Sequence, residues 1–169
     1  MFGLFKPKMA PDDPAEIEME AEIERSAEDV YAMVNFADPR HHKAEVGVIT
    51  QTGDATYEMV LDMLPDLTFT VRELAAVPNR SYSFETPLPP ELGARLMMTV
   101  ESYRIEPLGP GKCKVTATTL AHFHPMKLKH YQEEITRIAV ACNNSINKLK
   151  IHAEQGVETI REIEARQVA

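Results

Sequence analysis

Glu101 and Tyr103 have residue types and a spacing suited to proton transfer. Residues two apart on a strand point to the same face, so a strand through this segment places the carboxyl and the phenol side by side. On the wall of an apolar cavity, desolvation would raise the pKa of the Glu101 carboxyl and suit it to general acid catalysis. We favour an exposed cross-strand pair instead, because Leu96 and Met98 alternate onto the opposite face and only one face can line a cavity.

Two pairs of histidines could bind a metal or transfer protons. His122 and His124 have the i, i+2 spacing of some zinc sites. The apolar residues of that strand alternate in the opposite phase, however, and direct both imidazoles outward. His41 and His42 fall in a predicted short helix, where a histidine that titrates near neutrality could act as an acid or a base. We favour a solvated surface cluster for this second pair, so the sequence predicts no metal site, no cofactor and no defined catalytic set.

Composition predicts one globular domain in a reducing cytoplasm. The chain has 169 residues, a formal net charge of -8 and 44% hydrophobic residues, which is enough to build a core without metals or disulfides. The acidic balance disfavours nucleic-acid binding. Cys113 and Cys142 lack a metal-binding spacing and are predicted to be small buried hydrophobes. Charged residues interrupt every apolar run before the ~20 residues that a transmembrane helix needs, and no signal peptide is recognisable.

The order of the predicted elements is strand, two short helices, six strands and one long helix. Ile17 to Ile23 alternates apolar residues with glutamates, which is typical of a strand with one buried face. Ser26 is a predicted N-cap for a short helix, and a second short helix is predicted over residues 40–45. The six further strands are predicted over residues 46–51, 56–64, 67–76, 81–86, 95–106 and 112–123, with turns between them that include Leu64 to Asp66.

The last helix is predicted over residues 127–155, because its apolar residues recur at intervals of three and four. Gly156 is a predicted end or kink. Val157, Ile160 and Ile163 continue the apolar stripe, and we predict that this extension, residues 156–169, packs on a partner subunit in a homodimer. Residues 15–155 are predicted to form the domain. Residues 1–14 are predicted to be a disordered tail, and docking of Phe2, Leu4 and Phe5 on a membrane or a partner is the alternative.

This order of elements resembles the START-like superfamily, also called SRPBCC or helix-grip, which includes the polyketide cyclase/dehydrase branch. The resemblance extends from Ala15 to about Gln155. It is carried by the first strand with the Ser26 to Met33 helix, and by the hairpin of residues 95–106 and 112–124. It implies an α+β fold in which a curved seven-stranded antiparallel sheet surrounds the long C-terminal helix. It also implies a deep cavity between the two, used for lipids, sterols or polyketides, but no shared catalytic residues.

Alternation along the predicted strands and the apolar stripe of the last helix identify candidate ligand-binding residues for such a cavity. The candidates are Tyr57, Met59, Leu61, Met63, Phe69, Val71, Tyr82, Phe84, Leu96, Met98, Ile138 and Cys142. We expect the cavity to bind a hydrophobic or amphipathic small molecule, such as a lipid or a polyketide-like compound. An enzyme of the polyketide cyclase or dehydratase type, with an acid or base in the cavity, is the second hypothesis. A protein-interaction module is the third.

Overall fold

The computed structural model describes residues 6–169 and contains one antiparallel sheet of seven strands. The strands are β1 (Ala15–Ile23), β2 (Gly47–Gln51), β3 (Thr56–Leu61), β4 (Leu64–Val77), β5 (Ser81–Pro87), β6 (Leu96–Gly109) and β7 (Lys112–Phe123). Their order across the sheet is β1-β7-β6-β5-β4-β3-β2. Strands β2 to β7 form a meander, and β1 adds to the far side of β7. The predicted curved α+β sheet is confirmed.

Three α-helices and two 3-10 helices complete the described part of the chain. The α-helices are α1 (Ala27–Val34), α2 (Leu128–Gln155) and α3 (Val157–Val168), and the 3-10 helices are His42–Glu45 and Pro90–Leu92. Helix α1 begins where the sequence predicts, because the Ser26 hydroxyl accepts a hydrogen bond of 3.1 Å from the Asp29 amide. Helix α2 packs mainly on β1, and α1 packs on β5 and β6. The segment from α1 through the first 3-10 helix connects β1 at one edge to β2 at the other.

The glutamates of β1 lie on the exposed outer face of the sheet. Glu20 and Glu22 form ion pairs of 2.9 Å with Lys114 and 2.7 Å with Lys112, and in each pair the lysine lies diagonally across on β7. The alternate residues of β1 point to the inner face, where Ile23 is fully buried. The period-two pattern therefore predicts both the strand and its two environments correctly.

The β3–β4 hairpin turns earlier than its sequence suggests. Asp62 and Met63 form the turn, while Leu64, Pro65 and Asp66 continue into β4. Met63 therefore lies in a turn and does not extend the inner face of β3, so its assignment to the cavity wall is wrong.

A β-bulge in β6 changes which residues face inward. The pairing of β6 with β7 runs from Leu96–Phe123 to Met98–His122, which leaves Met97 as an extra residue. The bulge shifts the alternation, so Leu96 shares the inner face with Thr99 and Tyr103 while Met98 points to the outer face. The prediction that Leu96 and Met98 share a face is therefore wrong, and so is the placement of Met98 in the cavity.

Helix α3 folds back on its own chain. Gly156 separates α2 from α3 with a φ of 90°, a conformation that favours glycine, so the predicted kink is confirmed. The Lys148 ammonium on α2 lies 3.4 Å from the Glu164 carboxylate and 3.0 Å from the Gln167 side chain on α3. Ile160 is only 2% exposed. Ile160, in the middle of the apolar stripe that suggested a partner subunit, is therefore covered within the chain, while Val157 and Ile163 are half-buried.

Part of the predicted N-terminal tail pairs with the segment before α2. Met9 forms an isolated antiparallel bridge with Lys127, and the Ala10 amide donates to the Met126 carbonyl oxygen at 2.9 Å. The chain is thus in β pairing before β1 begins. The docking prediction for Phe2, Leu4 and Phe5 lies outside the described residues.

Candidate functional site

Two adjoining chambers lie between the inner face of the sheet and α2. Each chamber has a volume of about 260 Å³. Side chains that line both chambers define what we call the junction: Leu96, Thr99, Glu101, Tyr103 and Ser145. The junction is therefore built by β6 together with one turn of α2.

The two chambers differ in their walls. The helix chamber lies under α2 and is lined beyond the junction by residues that include Ala117, Thr119, Ile138, Cys142 and Ile146. The sheet chamber lies over β3, β4 and β5 and is lined beyond the junction by Val34, Phe36, His41, His42, Lys43, Met59, Leu61, Phe69, Phe84, Thr86 and Leu88. Both walls are predominantly apolar, and the sheet chamber meets charged and imidazole groups where the first 3-10 helix closes it.

Most of the predicted ligand-binding residues line one of these chambers. Met59, Leu61, Phe69 and Phe84 line the sheet chamber. Ile138 and Cys142 line the helix chamber, and Leu96 lines both. Strand alternation and the helical stripe place these side chains on the correct face, although their contact with a ligand stays a prediction.

Three other predicted residues belong to the packed core behind the sheet chamber. Tyr57, Val71 and Tyr82 are at most 2% exposed. The Tyr82 hydroxyl donates to the Glu73 carboxylate at 2.8 Å and accepts from the Phe36 amide at 3.3 Å. The segment after α1 thus fills this end of the concave face, and a ligand in the chambers would not touch these residues.

Glu101 and Tyr103 point into the cavity, contrary to the exposed pair that the sequence favours. The reason is the bulge at Met97, which puts Leu96 on their side of the strand. Desolvation raises the pKa of the Glu101 carboxyl, partly offset by the Lys43 ammonium and by a hydrogen bond from Thr99. Burial and the nearby Glu101 carboxyl raise the pKa of Tyr103. Both groups can therefore hold a proton at the junction.

Lys43 brings a third proton-transfer group to the same cavity, although no pattern in the sequence selects it. Its side chain lines the sheet chamber. Burial and the Lys148 ammonium lower the pKa of Lys43, while Glu164 and Glu101 act in the opposite direction. Lys43 forms no salt bridge with any carboxylate in residues 6–169. The nearby buried carboxylate of Glu164 pairs with Lys148 instead.

His41 and His42 are buried, so the solvated surface cluster is wrong. His41 is 2% exposed, and its ring packs against Phe36 with 4.2 Å between ring centroids. Its Nδ1 accepts a hydrogen bond of 3.1 Å from the Lys43 amide, which fixes the start of the 3-10 helix. Burial lowers the pKa of His41 to about 3 and that of His42 well below its ordinary value. Both imidazoles are therefore neutral at physiological pH and part of the cavity wall.

The cysteines behave as small hydrophobes. Cys113 is fully buried in the core. Cys142 lines the helix chamber, and its thiol donates a hydrogen bond of 3.4 Å to the Thr119 hydroxyl. Burial raises the pKa of both thiols, which disfavours the reactive thiolate. In the part of the chain that the structure describes, no group of three or more His, Cys, Asp or Glu residues is arranged to hold a metal ion.

The seven-stranded antiparallel sheet with its long C-terminal helix is the helix-grip fold that the sequence predicts. Among solved structures, the chain is similar to norcoclaurine synthase from Thalictrum flavum in complex with dopamine and hydroxybenzaldehyde. The TM-score is 0.57 at 13% identity, over 80% of this chain and 83% of that one. It is also similar to the Aha1 dimer from Colwellia psychrerythraea, with a TM-score of 0.59 at 17% identity over 84% and 98% of the two chains.

A third similar structure is the di-domain ARO/CYC protein BexL from the BE-7585A biosynthetic pathway. The TM-score is 0.62 at 14% identity, and the match covers 85% of this chain but 46% of BexL. No protein-family model matches the sequence, and no curated protein sequence matches it. At these identities the similarities establish the fold alone. No helix within residues 6–169 is long and apolar enough to cross a membrane.

Proposed function

We propose that this protein binds an amphipathic small molecule in the two chambers, with the apolar body of the ligand against the walls and a polar group at the junction. The observation that carries the proposal is the cavity itself, in which apolar chambers meet at Glu101 and Tyr103. Small-molecule sites are typically apolar clefts with a few convergent polar groups. A lipid or a polyketide-like ring compound has this division between an apolar body and a polar end.

The size of the cavity supports a ligand of this kind. Each chamber of about 260 Å³ is slightly smaller than a typical ligand site, and a ligand that passes through the junction would use both. Burial of apolar ligand surface contributes about 25 cal/mol per Å², so about 200 Å² would give about 5 kcal/mol before the cost of association. Apolar contact would therefore supply most of the affinity, and the junction would supply orientation.

A specific observation favours an enzyme of the polyketide cyclase or dehydratase type as the second candidate. Glu101 faces the cavity with a raised pKa, so it can stay protonated where a substrate would lie. Tyr103 lies beside it as a second donor. Norcoclaurine synthase and BexL, whose folds are similar, carry an enzyme name and an ARO/CYC name, and they support this candidate at the level of class.

The protein-interaction module is the least supported candidate. It requires a filled interior and an exposed apolar stripe on the last helix. The interior has chambers instead, and Val157, Ile160 and Ile163 are buried or half-buried by their own chain. A homodimer and a cytoplasmic location stay predictions, and sedimentation of the purified protein would test the first of them.

Native mass spectrometry of the freshly purified protein tests the binding proposal. We expect an additional species heavier than the apoprotein, which collapses to the bare chain under denaturing conditions because the ligand is not covalently bound. If only the bare mass is found, the apoprotein should still take up a fluorescent fatty acid or a polyaromatic probe. The absence of both results would overturn the proposal.

A further inference from the structure

We propose that Lys43 forms an imine with a carbonyl compound bound in the cavity and that Glu101 transfers the protons of this reaction. The proposal rests on the proposed function, because it requires that the ligand reach the junction. It specifies the ligand further, as an apolar aldehyde or ketone. The juxtaposition of a cavity lysine that lacks a salt bridge with a cavity carboxyl carries the inference.

The position of Lys43 is set by rigid neighbours. It is part of the 3-10 helix His42–Glu45, whose start is fixed by the hydrogen bond from the Lys43 amide to His41 Nδ1. The His41 ring in turn packs on Phe36. The lysine stem thus leaves a well-packed element and lines the sheet chamber beside apolar walls such as Phe69 and Phe84.

The charged residues around Lys43 favour a neutral amine. Glu164 is buried near it, but this carboxylate pairs with the Lys148 ammonium at 3.4 Å. Lys148 therefore adds a positive charge next to Lys43, and its partner Glu164 only partly offsets that charge. Burial acts in the same direction as Lys148. A neutral lysine amine is the nucleophile that Schiff-base chemistry requires, and desolvation beside a second cation is a recognised way to obtain it.

The Lys43 amine and the Glu101 carboxyl can together make every proton transfer that imine formation requires. The Lys43 nitrogen lone pair attacks the carbonyl carbon while the carbonyl oxygen takes the proton of the Glu101 carboxyl. The nitrogen then returns one proton to the carboxylate, which gives a neutral carbinolamine. Glu101 next protonates the hydroxyl group, the C–O bond breaks and water leaves, while the nitrogen lone pair completes the C=N bond. The nitrogen gives its last proton to Glu101, so amine and carbonyl yield imine and water and the acid is restored.

Reductive trapping with an aldehyde probe tests this proposal directly. The wild-type protein is incubated with 2-naphthaldehyde and sodium cyanoborohydride, which reduces an imine to a stable amine, and the modified lysine is located by peptide mass spectrometry. We expect modification at Lys43 to be about tenfold or more faster than at the exposed Lys129, because the cavity would hold the aldehyde beside the Lys43 amine and because burial lowers the pKa of that amine. Modification spread over surface lysines with no preference for Lys43 would overturn the proposal.

Two variants separate the roles of the groups. Lys43→Met keeps the apolar stem and should abolish the preferred adduct, whereas Lys129→Met, the matched control, should leave it unchanged. Glu101→Gln keeps the shape of the side chain and should slow imine formation by about a hundredfold, within the usual contribution of a general acid. If Lys43→Met is labelled by 2-naphthaldehyde as rapidly as the wild type, at another lysine, the assignment to Lys43 is contradicted. Circular dichroism checks that the variant is folded.

Displacement of a fluorescent fatty acid by 2-methylnaphthalene, which lacks the carbonyl, distinguishes this proposal from the binding proposal. Displacement without a Lys43 adduct from 2-naphthaldehyde would refute the imine alone. If the protein carries no co-purified ligand and binds neither the fatty acid nor a polyaromatic probe, the proposed function is refuted as well.

Discussion

Acid should destabilise this protein through a histidine in the cavity wall. His41 is 2% exposed and has a pKa of about 3 in the folded chain, against 6.5 for an unperturbed imidazole. In this pH range the unfolded chain binds a proton at His41 and the folded chain does not. The free energy of unfolding therefore falls as the pH drops below 6.5 and levels off near pH 3. His42 acts in the same direction.

The size of this effect follows from the two pKa values of His41. Between about pH 7.5 and about pH 5, proton binding to the unfolded chain contributes RT ln(1 + 10^1.5), or about 2 kcal/mol, for this one residue. The full shift from 6.5 to about 3 corresponds to about 5 kcal/mol. Because a domain of this kind has a total stability of about 5–15 kcal/mol, the loss should be easily measured.

His41→Asn isolates the contribution of this side chain. Asparagine cannot titrate, but it can still accept the hydrogen bond that the Lys43 amide donates to Nδ1. Urea unfolding, followed by circular dichroism at about pH 7.5 and about pH 5, should show that the variant loses about 2 kcal/mol less than the wild type on acidification. His124→Gln, at an exposed histidine, is the control and should lose as much as the wild type. Equal losses in wild type and His41→Asn would refute the reasoning.

Three further substitutions test other parts of the structure. Glu101→Gln should stabilise the fold more at about pH 8 than at about pH 4.5, because a raised carboxyl pKa makes the wild type lose stability as the pH rises. An equal difference in the free energy of unfolding between variant and wild type at the two pH values would contradict this. Ile160→Ala should lower the free energy of unfolding in urea by about 2–4 kcal/mol, and Val168→Ala, at an exposed position, should leave it almost unchanged. A negligible cost for Ile160→Ala would show that the packing of α3 does not stabilise the domain. Tyr82→Phe should cost about 1–2 kcal/mol, and a neutral result would show that its hydrogen bonds are weak.

The sequence predicted the regular parts of this fold because their local patterns are unambiguous. The alternation from Ile17 to Ile23 predicts β1 and its buried face, and Ser26 predicts the start of α1. Gly156 predicts the break between α2 and α3, where φ is positive. In each case a few neighbouring residues determine the backbone, so the wider structure was not needed.

The site was harder to predict because two departures from regular geometry decide it. Alternation along β6 cannot show the bulge at Met97, which brings Leu96 to the side of Glu101 and Tyr103. A signal existed in the wholly apolar run from Leu96 to Met98, which two-fold alternation cannot satisfy. The β3–β4 turn likewise uses Asp62 and Met63, although proline later in the segment favoured a different turn.

Burial of the first 3-10 helix depends on long-range packing that no local pattern shows. His41, His42 and Lys43 have the sequence of a polar surface segment. In the structure, Arg161 of α3 donates a hydrogen bond to the end of their 3-10 helix at Glu45, and Phe36 packs against the His41 ring. Four consecutive ionisable residues, Arg40 to Lys43, follow Pro39, and such a run gives little reason to expect a cavity wall. Such a segment becomes a candidate site only when the elements that cover it are known.

The central claim is that the chambers between sheet and α2 receive a ligand, and a pair of adjacent α2 variants tests it most directly. Ser145 lines both chambers, whereas Asn144 is exposed. In fluorescence titrations with a fatty-acid probe, Ser145→Phe should fill the junction and weaken binding by about tenfold or more, or about 1.4 kcal/mol, while Asn144→Phe should bind like the wild type. Undiminished binding to a folded Ser145→Phe variant would contradict the account.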